Sequence, residues 1–240
     1  MLYQQLLARL ETIPGVRSAS ISGYTPLEGC GAGSRFLVVE EHAERPGDRQ
    51  RPALSLVAPG YFETLGIPLL AGRDFRLGDS GGRRIAIISA KVGRHFFPGV
   101  NPIGQHITVV NDPQPFPFGD DRPYEIIGLA GDIKPFELRD PPYPTVYFSM
   151  FQENHLLDQF EVRTSGDPAS MAGTVRRMAR EVVAAVPVKR VTTLAEQVDS
   201  NIVPEHLMAT LSGYFGGLGA MLAGIGLYGA AGISCGAADE

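Results

Sequence analysis

The chain has 240 residues, enough to bury a core in one or two compact lobes. Its formal charge of −5, from 21 Lys and Arg against 26 Asp and Glu, argues against a basic nucleic-acid-binding domain. A hydrophobic content of 44% with 20% charged residues excludes a wholly disordered chain. The two cysteines, Cys30 and Cys235, are too few for a disulfide framework or a four-cysteine zinc site.

The first 80 residues predict one helix followed by alternating strands and turns. Apolar residues at helical spacing, Leu2, Leu6, Leu7, Leu10 and Ile13, indicate an amphipathic helix that ends at the Pro14-Gly15 stop signal. Alternation of apolar and polar residues then predicts strands at 16–24, 35–40, 52–57 and 67–71, with a short helix at 59–66.

The remaining soluble part predicts a second set of strands and one strong helix. Strands are predicted at 84–89, 105–110, 124–129, 145–148, 159–164 and 188–191, with a helix at 90–97. The strands at 105–110 and 124–129 are predicted to pair with each other. Asp167 is the predicted N-cap of a helix that begins at Pro168. Its apolar stripe comprises Met171, Val175, Met178, Val182 and Val186. Strand–helix–strand units at 52–71 and 159–191 predict an α+β sandwich of two such units, carrying a mostly β insertion.

Residues 207–234 contain no charged residue, and their length suits a membrane-spanning helix. Their high glycine content favours close packing against other spans, with Gly213, Gly217 and Gly224 on one stripe. A very apolar buried helix of a soluble protein is the alternative. A helix over 193–206 is predicted to lead into the span, and Pro204 marks its entry. The GxGxxG match at 224–229 lies inside the apolar run, so we interpret it as accidental.

The sequence carries no recognisable active-site motif. Asp120, Asp121 and Asp132 would suit a metal or acid–base group, but turn formation is the usual reason for Asp120 and Asp121 in a Gly/Pro-rich loop. Cys30 has no nearby histidine, and no GxSxG or Walker A motif is present. The histidines form no metal-binding spacing: His42, His95, His106, His155 and His206. We therefore expect no enzymatic activity, and no catalytic, cofactor-binding or metal site.

Five stretches, in order along nearly the whole chain, resemble the MacB-like permeases of the FtsX-like ABC transporter family, and more narrowly the Acidobacteria-type permease set. They are VAPGYFETLGIPLLAGRDF (57–75), HFFPGVNPIGQHI (95–107), YEIIGLAGDIK (124–134), PPYPTVYFSM (141–150) and LSGYFGGLGAMLAGIGLYG (211–229).

The resemblance implies a periplasmic core domain over 1–206, one transmembrane helix over 207–234 and a short tail over 235–240. Within the domain it implies a porter-like lobe over about 1–80 and 157–193 and an insertion lobe over about 81–156. The segment 194–206 would be a stalk helix. A bacterial inner membrane location, with residues 1–206 in the periplasm, follows from the same resemblance.

The implied partners are a cytoplasmic ABC ATPase subunit, a second permease copy or paired permease half, a periplasmic adaptor protein and the lipid bilayer. The permease would couple ATP hydrolysis by that ATPase to movement of the periplasmic lobes during substrate export or extraction. The family's first span and its last two spans are missing from this sequence, so we expect the product of a truncated or frame-shifted gene, or a deliberately shortened chain.

Two other functions compete with this expectation. A binding or sensing domain anchored by one span would need no transporter, but it would favour a Leu- and Val-rich span with few glycines. A membrane-tethered hydrolase would need a nucleophile, base or metal set, and the sequence shows none of these.

Overall fold

The computed structural model describes residues 2–25, 35–39, 52–111, 122–133, 141–153, 159–182, 188 and 190–236. The chain divides into two compact units, Met1–Thr193 and Leu194–Glu240. The first unit is a mixed α+β domain, which confirms the predicted fold class at that level. The second unit consists of one helix in the part that the structure describes.

The helices and strands largely follow the predicted order. The strands are β1 (Val16–Ser22), β2 (Arg35–Val39), β3 (Ala53–Val57), β4 (Leu69–Gly72), β5 (Ile85–Ser89), β6 (His106–Asn111), β7 (Tyr124–Ala130), β8 (Thr145–Ser149) and β9 (Gln159–Thr164). The α-helices are α1 (Leu2–Glu11), α2 (Tyr61–Leu65), α3 (Ala90–Phe96), α4 (Met150–Glu153), α5 (Pro168–Val182) and α6 (Leu194–Gly236), and a 3₁₀ helix covers Leu77–Gly81.

All the described strands belong to one mixed sheet. Its order is β2-β6-β7-β5-β8-β3-β1-β9, and β4 pairs with β7 beside this path. The pairs β3–β8 and β5–β7 are parallel, whereas the other pairs are antiparallel. The predicted pairing of the strands at 105–110 and 124–129 is confirmed by His106 opposite Glu125 and Ile107 opposite Tyr124.

Apolar side chains cover both faces of the sheet. Successive residues of the central strand β5 alternate between two hydrophobic clusters, with Ile87 in one and Ile88 in the other. The Ile88 cluster also holds Leu6 and Leu10 of α1, and Met171 of α5 packs against it. Because both faces are covered, β3, β5 and β8 are buried throughout and read as nearly continuous apolar runs.

The end of β9 and the start of α5 follow the predicted capping chemistry. The two carboxylate oxygens of Asp167 accept hydrogen bonds from the backbone N–H groups of Ala169 (3.2 Å) and Ser170 (3.2 Å). Pro168 is the first helical residue, where its missing N–H group costs no helical hydrogen bond. The predicted N-cap of this helix is therefore confirmed.

One predicted strand is not found at the positions that the structure describes. Val188, Arg190 and Val191 lie outside any strand, while position 189 is outside the described residues. The β-branched residues there predict a strand, but strand formation needs a neighbour with which to pair. The prediction of a strand at 188–191 is thus wrong at the described positions.

The sheet includes strands from both the porter-like lobe and the insertion lobe that the family resemblance implies. β2 and β4 come from residues 1–80, and they pair with β6 and β7 from the proposed insertion segment. The division into a porter-like and an insertion lobe stays a prediction.

Two glycines permit the close approach of β4 and β7. Gly72 has a positive φ of 76° and lies opposite Gly128 in the pairing register. A Cβ atom at Gly72 would collide with the carbonyl oxygen of Ile127, and one at Gly128 would lie 2.7 Å from the carbonyl oxygen of Arg73. Only glycine fits both the backbone conformation and the space at position 72.

Gly72→Ala is expected to destabilise the chain by about 2 to 5 kcal/mol, because left-handed strain adds to a backbone collision. Gly78→Ala is the matched control, since a Cβ atom there meets nothing within 4 Å. Its effect should be about 0.5 kcal/mol or less. Chemical denaturation followed by circular dichroism measures both changes, and equal stabilities of the two variants would contradict the β4–β7 geometry.

Candidate functional site

The second unit is a single helix that includes the predicted stalk and the predicted span. α6 is 43 residues long, and the helix continues through Pro204 without a break. At about 1.5 Å per residue, such a helix is about 65 Å long. The predicted role of Pro204 as the stalk entry is not tested by this continuity and stays a prediction.

The three glycines singled out in the sequence lie on one side of α6. At about 100° per residue, Gly213, Gly217 and Gly224 fall within an arc of about 40°. All three are exposed, and a Cβ atom at any of them would meet nothing within 4 Å. The structure therefore confirms that these positions lie in one helix, whereas their packing against other spans stays a prediction.

Large apolar side chains on the same helix are exposed to a degree that is unusual for a water-soluble surface. Tyr214 is 76% exposed and Phe215 is 69% exposed. Others in this group are Leu211, Leu218, Met221, Leu222 and Ile225. Within the described residues, none of the helices has both the length and the apolar character needed to cross a membrane. The predicted span over 207–234 is therefore unconfirmed.

A partly buried polar cluster holds α4 against the start of β5. Both carboxylate oxygens of Glu153 accept hydrogen bonds from Nη2 of Arg84, at 2.8 and 3.0 Å. The hydroxyl of Tyr124 donates to Oε1 of Glu153 at 2.8 Å, and the Arg84 guanidinium lies 4.2 Å from the centre of the Tyr124 ring. The Glu153 side chain is only 5% exposed, so these contacts compensate a buried charge.

Gln152 extends this cluster to the 3₁₀ helix. Its amide nitrogen donates to the carbonyl oxygens of Asp79 (2.8 Å) and Arg83 (2.7 Å), while its amide oxygen accepts from the N–H of Ile85 (3.1 Å). We call Arg84, Tyr124, Gln152 and Glu153 the polar clamp. Sequence reasoning missed it because Arg84 and Glu153 are 69 positions apart and only the sheet brings them together.

A second ion pair fixes the segment between β4 and the 3₁₀ helix. Nη1 and Nη2 of Arg73 donate to the two carboxylate oxygens of Asp79, at 2.8 and 3.0 Å. The Arg73 hydrogen bond holds the pKa of Asp79 below its ordinary value. Burial raises the pKa of the neighbouring Asp74, whose carboxylate accepts from the N–H groups of Phe75 and Gly60.

Of the three aspartates that the sequence offered as a metal or acid–base group, the structure describes Asp132. Asp120 and Asp121 lie outside the described residues. The Asp132 carboxylate pairs with Arg94 and accepts the backbone N–H of Lys91. No three His, Cys, Asp or Glu side chains of the described ranges come together as a metal site.

The fold is shared with the periplasmic region of MacB from Actinobacillus actinomycetemcomitans. That structure aligns with a TM-score of 0.51 at 13% identity, covering 77% of this chain and 75% of that one. The extracellular domain of the noncanonic ABC-type transporter YknZ from Gram-positive bacteria aligns with a TM-score of 0.49 at 17% identity, covering 76% and 82%. A search of curated protein sequences gives no significant match.

Residues 5–200 match the family model of the MacB-like periplasmic core domain. The chain therefore belongs to that family, which confirms the resemblance seen in the sequence. The matched region is the MacB-like periplasmic domain of an ABC-type transporter permease, an extracytoplasmic part of a membrane protein.

The Arg73–Asp79 pair predicts a defined pH dependence of stability. Because the pKa of Asp79 is lower in the folded chain, its contribution is present above its unfolded pKa of about 4 and is lost as the pH falls through the folded pKa. Asp79→Asn should cost about 1 kcal/mol at pH 7, a small value because Arg73 is partly exposed. The difference in unfolding free energy between Asp79→Asn and the wild type should become smaller below about pH 4.

Urea denaturation between pH 3 and 7 measures this dependence. Glu11→Gln, at the exposed end of α1, removes a charge without breaking an ion pair and is the control. A difference between Asp79→Asn and the wild type that stays constant with pH would contradict the role given to this pair.

Proposed function

We propose that this chain provides the periplasmic domain and one membrane span of an ABC transporter permease. In this proposal the domain moves as a body during substrate export or extraction, driven by ATP hydrolysis in a separate cytoplasmic ATPase. The observation that carries the proposal is α6, a helix of 43 residues that follows directly on a MacB-like domain. One continuous helix is a direct physical means of passing movement between a membrane and a domain.

Several features of α6 support a membrane-spanning role for residues 207–234. The segment carries no charge over 28 residues, whereas about 20 suffice to cross a hydrocarbon core of about 30 Å. Aromatic and aliphatic side chains are exposed around the helix, as expected where lipid replaces water. Gly213, Gly217 and Gly224 form one side of α6, which we call the glycine face. It offers a surface on which a second helix packs closely. The segment 194–206 would then be the stalk.

The packing and cross-linking hydrogen bonds of the domain support a mechanical role. The sheet is packed on both faces, and the polar clamp fixes α4 to β5 and to the 3₁₀ helix through partly buried hydrogen bonds. A domain that transmits force benefits from such cross-links, because a body that deforms locally would dissipate the movement. We propose a transmitting role without enzymatic chemistry, since the sequence lacks nucleophile, base and metal motifs.

The finer assignments belong to the same proposal. The porter-like lobe would comprise about 1–80 and 157–193, and the insertion lobe about 81–156. The partners would be a cytoplasmic ABC ATPase, a second permease copy or paired permease half and a periplasmic adaptor, at the bacterial inner membrane. Family membership supports an ATPase partner, because MacB-like domains belong to ABC transporters.

A membrane-anchored binding or sensing domain with no transporter is the second candidate. This candidate has the same domain and the same single span as the transporter proposal. It does not explain why glycines line one side of α6. A helix surrounded only by lipid gains nothing from three small residues in line, since close approach needs a second helix.

Gly217→Leu is expected to weaken association of α6 with neighbouring spans by about fivefold or more, because leucine prevents close helix approach. Gly219→Leu is the matched control, since position 219 lies on the opposite side of the helix, about 200° away. Both variants also carry Met221→Cys, with Cys30 and Cys235 replaced by serine. A photoactivatable maleimide is attached to the new cysteine, and crosslinking is measured in host membranes.

The products of the same experiment separate the two candidates. The transporter proposal predicts crosslinks to permease spans and co-isolation of an ABC ATPase, both reduced by Gly217→Leu and retained by Gly219→Leu. Crosslinking that neither variant changes, without a co-isolated ATPase, would overturn the transporter proposal and favour the lone anchor.

A further inference from the structure

A surface depression of about 400 Å³ lies beside α3. It is lined by Lys91, Arg94, His95 and Pro142. The first three residues are spaced i, i+3 and i+4, so they share one face of the helix. Two cations and an imidazole thus line one shallow, open depression, which lies outside the polar clamp and outside α6.

Lys91 is held in place by both its backbone and its side chain. Its ammonium donates to the carbonyl oxygen of Pro142 at 2.7 Å, and its backbone N–H donates to Oδ1 of Asp132 at 2.6 Å. An ammonium group carries three N–H donors. The bond to Pro142 uses one of them and fixes the direction of the side chain, so a ligand meets a preorganised cation.

Asp132 orients Arg94 in the same way. Its Oδ2 accepts from Nη2 of Arg94 at 2.6 Å, and the Asp132 side chain is 15% exposed whereas that of Arg94 is 66% exposed. The guanidinium has five N–H donors, of which this contact engages one. One carboxylate therefore contacts both cationic residues and neutralises only one of them, so the described residues of the site carry a net positive charge.

We propose that this depression binds the phosphate group of a ligand. The donors of Lys91 and Arg94 approach from different side chains, an arrangement that suits a tetrahedral oxyanion with several oxygens. A planar carboxylate would be satisfied by the guanidinium edge alone. The residual positive charge matches a phosphate that carries one or two negative charges. The ligand is a soluble phosphate ester or the headgroup of an anionic phospholipid, which present the same chemistry to the site.

Lys91→Gln tests the site directly, because it removes one cation and keeps the pair between Asp132 and Arg94. Arg9→Gln, at an exposed position on α1, makes the same change in net charge far along the chain and is the control. Inorganic phosphate is titrated by calorimetry into the full chain in a neutral detergent at low ionic strength. Denaturation curves establish that each variant is folded.

The site predicts saturable binding of inorganic phosphate that Lys91→Gln weakens by about tenfold and Arg9→Gln leaves within about twofold. A second arm replaces phosphate with phosphatidylcholine nanodiscs containing or lacking phosphatidylglycerol. Binding to the anionic nanodiscs that depends on Lys91 assigns the headgroup, whereas dependence in the phosphate arm alone assigns a soluble ester. Absence of saturable binding in both arms, or equal losses in Lys91→Gln and Arg9→Gln, would overturn the proposal.

Discussion

The parallel pairing of β3 with β8 is the contact through which the two parts of the sheet are joined. It places Ala53 opposite Thr145 and Val57 opposite Ser149. In the strand order, β1 and β9 lie on one side of this pair, and β5, β7, β6 and β2 lie on the other. Both strands are buried along their whole length. Burial on both faces fixes their register, because a slip by one residue would exchange the side chains of the two hydrophobic clusters.

The position of β8 in turn determines where the polar clamp forms. α4 follows β8 without a loop, so Gln152 and Glu153 meet the N-terminal end of β5, which is antiparallel to β8. The clamp then links this end of the sheet to the 3₁₀ helix through the carbonyl oxygen of Asp79. These contacts make the domain a body whose parts are held together across long sequence separations. That property suits the proposed transmission of movement better than it suits a deformable binding surface.

Much of the secondary structure could be predicted from interactions between residues that are close in sequence. The strand pairings and the long-range contacts could not be predicted in this way. The strand at 159–164, the Asp167 cap and the strand-to-helix junction at Ser89 follow from alternation and capping, which act between neighbours in sequence. The β3–β8 pairing, the clamp and the close approach at Gly72 depend on residues far apart in the chain. The location of Gly213, Gly217 and Gly224 on one side of α6 could be predicted, because the spacing of residues in a helix is a local property. The basic face of α3 could not, since Asp132 and Pro142 reach it only through the folded sheet.

In the proposed function, α6 connects an extracytoplasmic domain to the membrane. Its most direct test is labelling with a membrane-impermeant maleimide in spheroplasts of the host. One variant carries Glu181→Cys on the exposed side of α5 with Cys30 and Cys235 replaced by serine, and a second keeps Cys235 and replaces Cys30. If α6 spans the membrane, the maleimide labels the first variant before lysis and labels the second variant only after the membrane is permeabilised. Labelling of both variants before lysis, or labelling of the Glu181→Cys variant only after lysis, would contradict a membrane-spanning α6 that carries an extracytoplasmic domain.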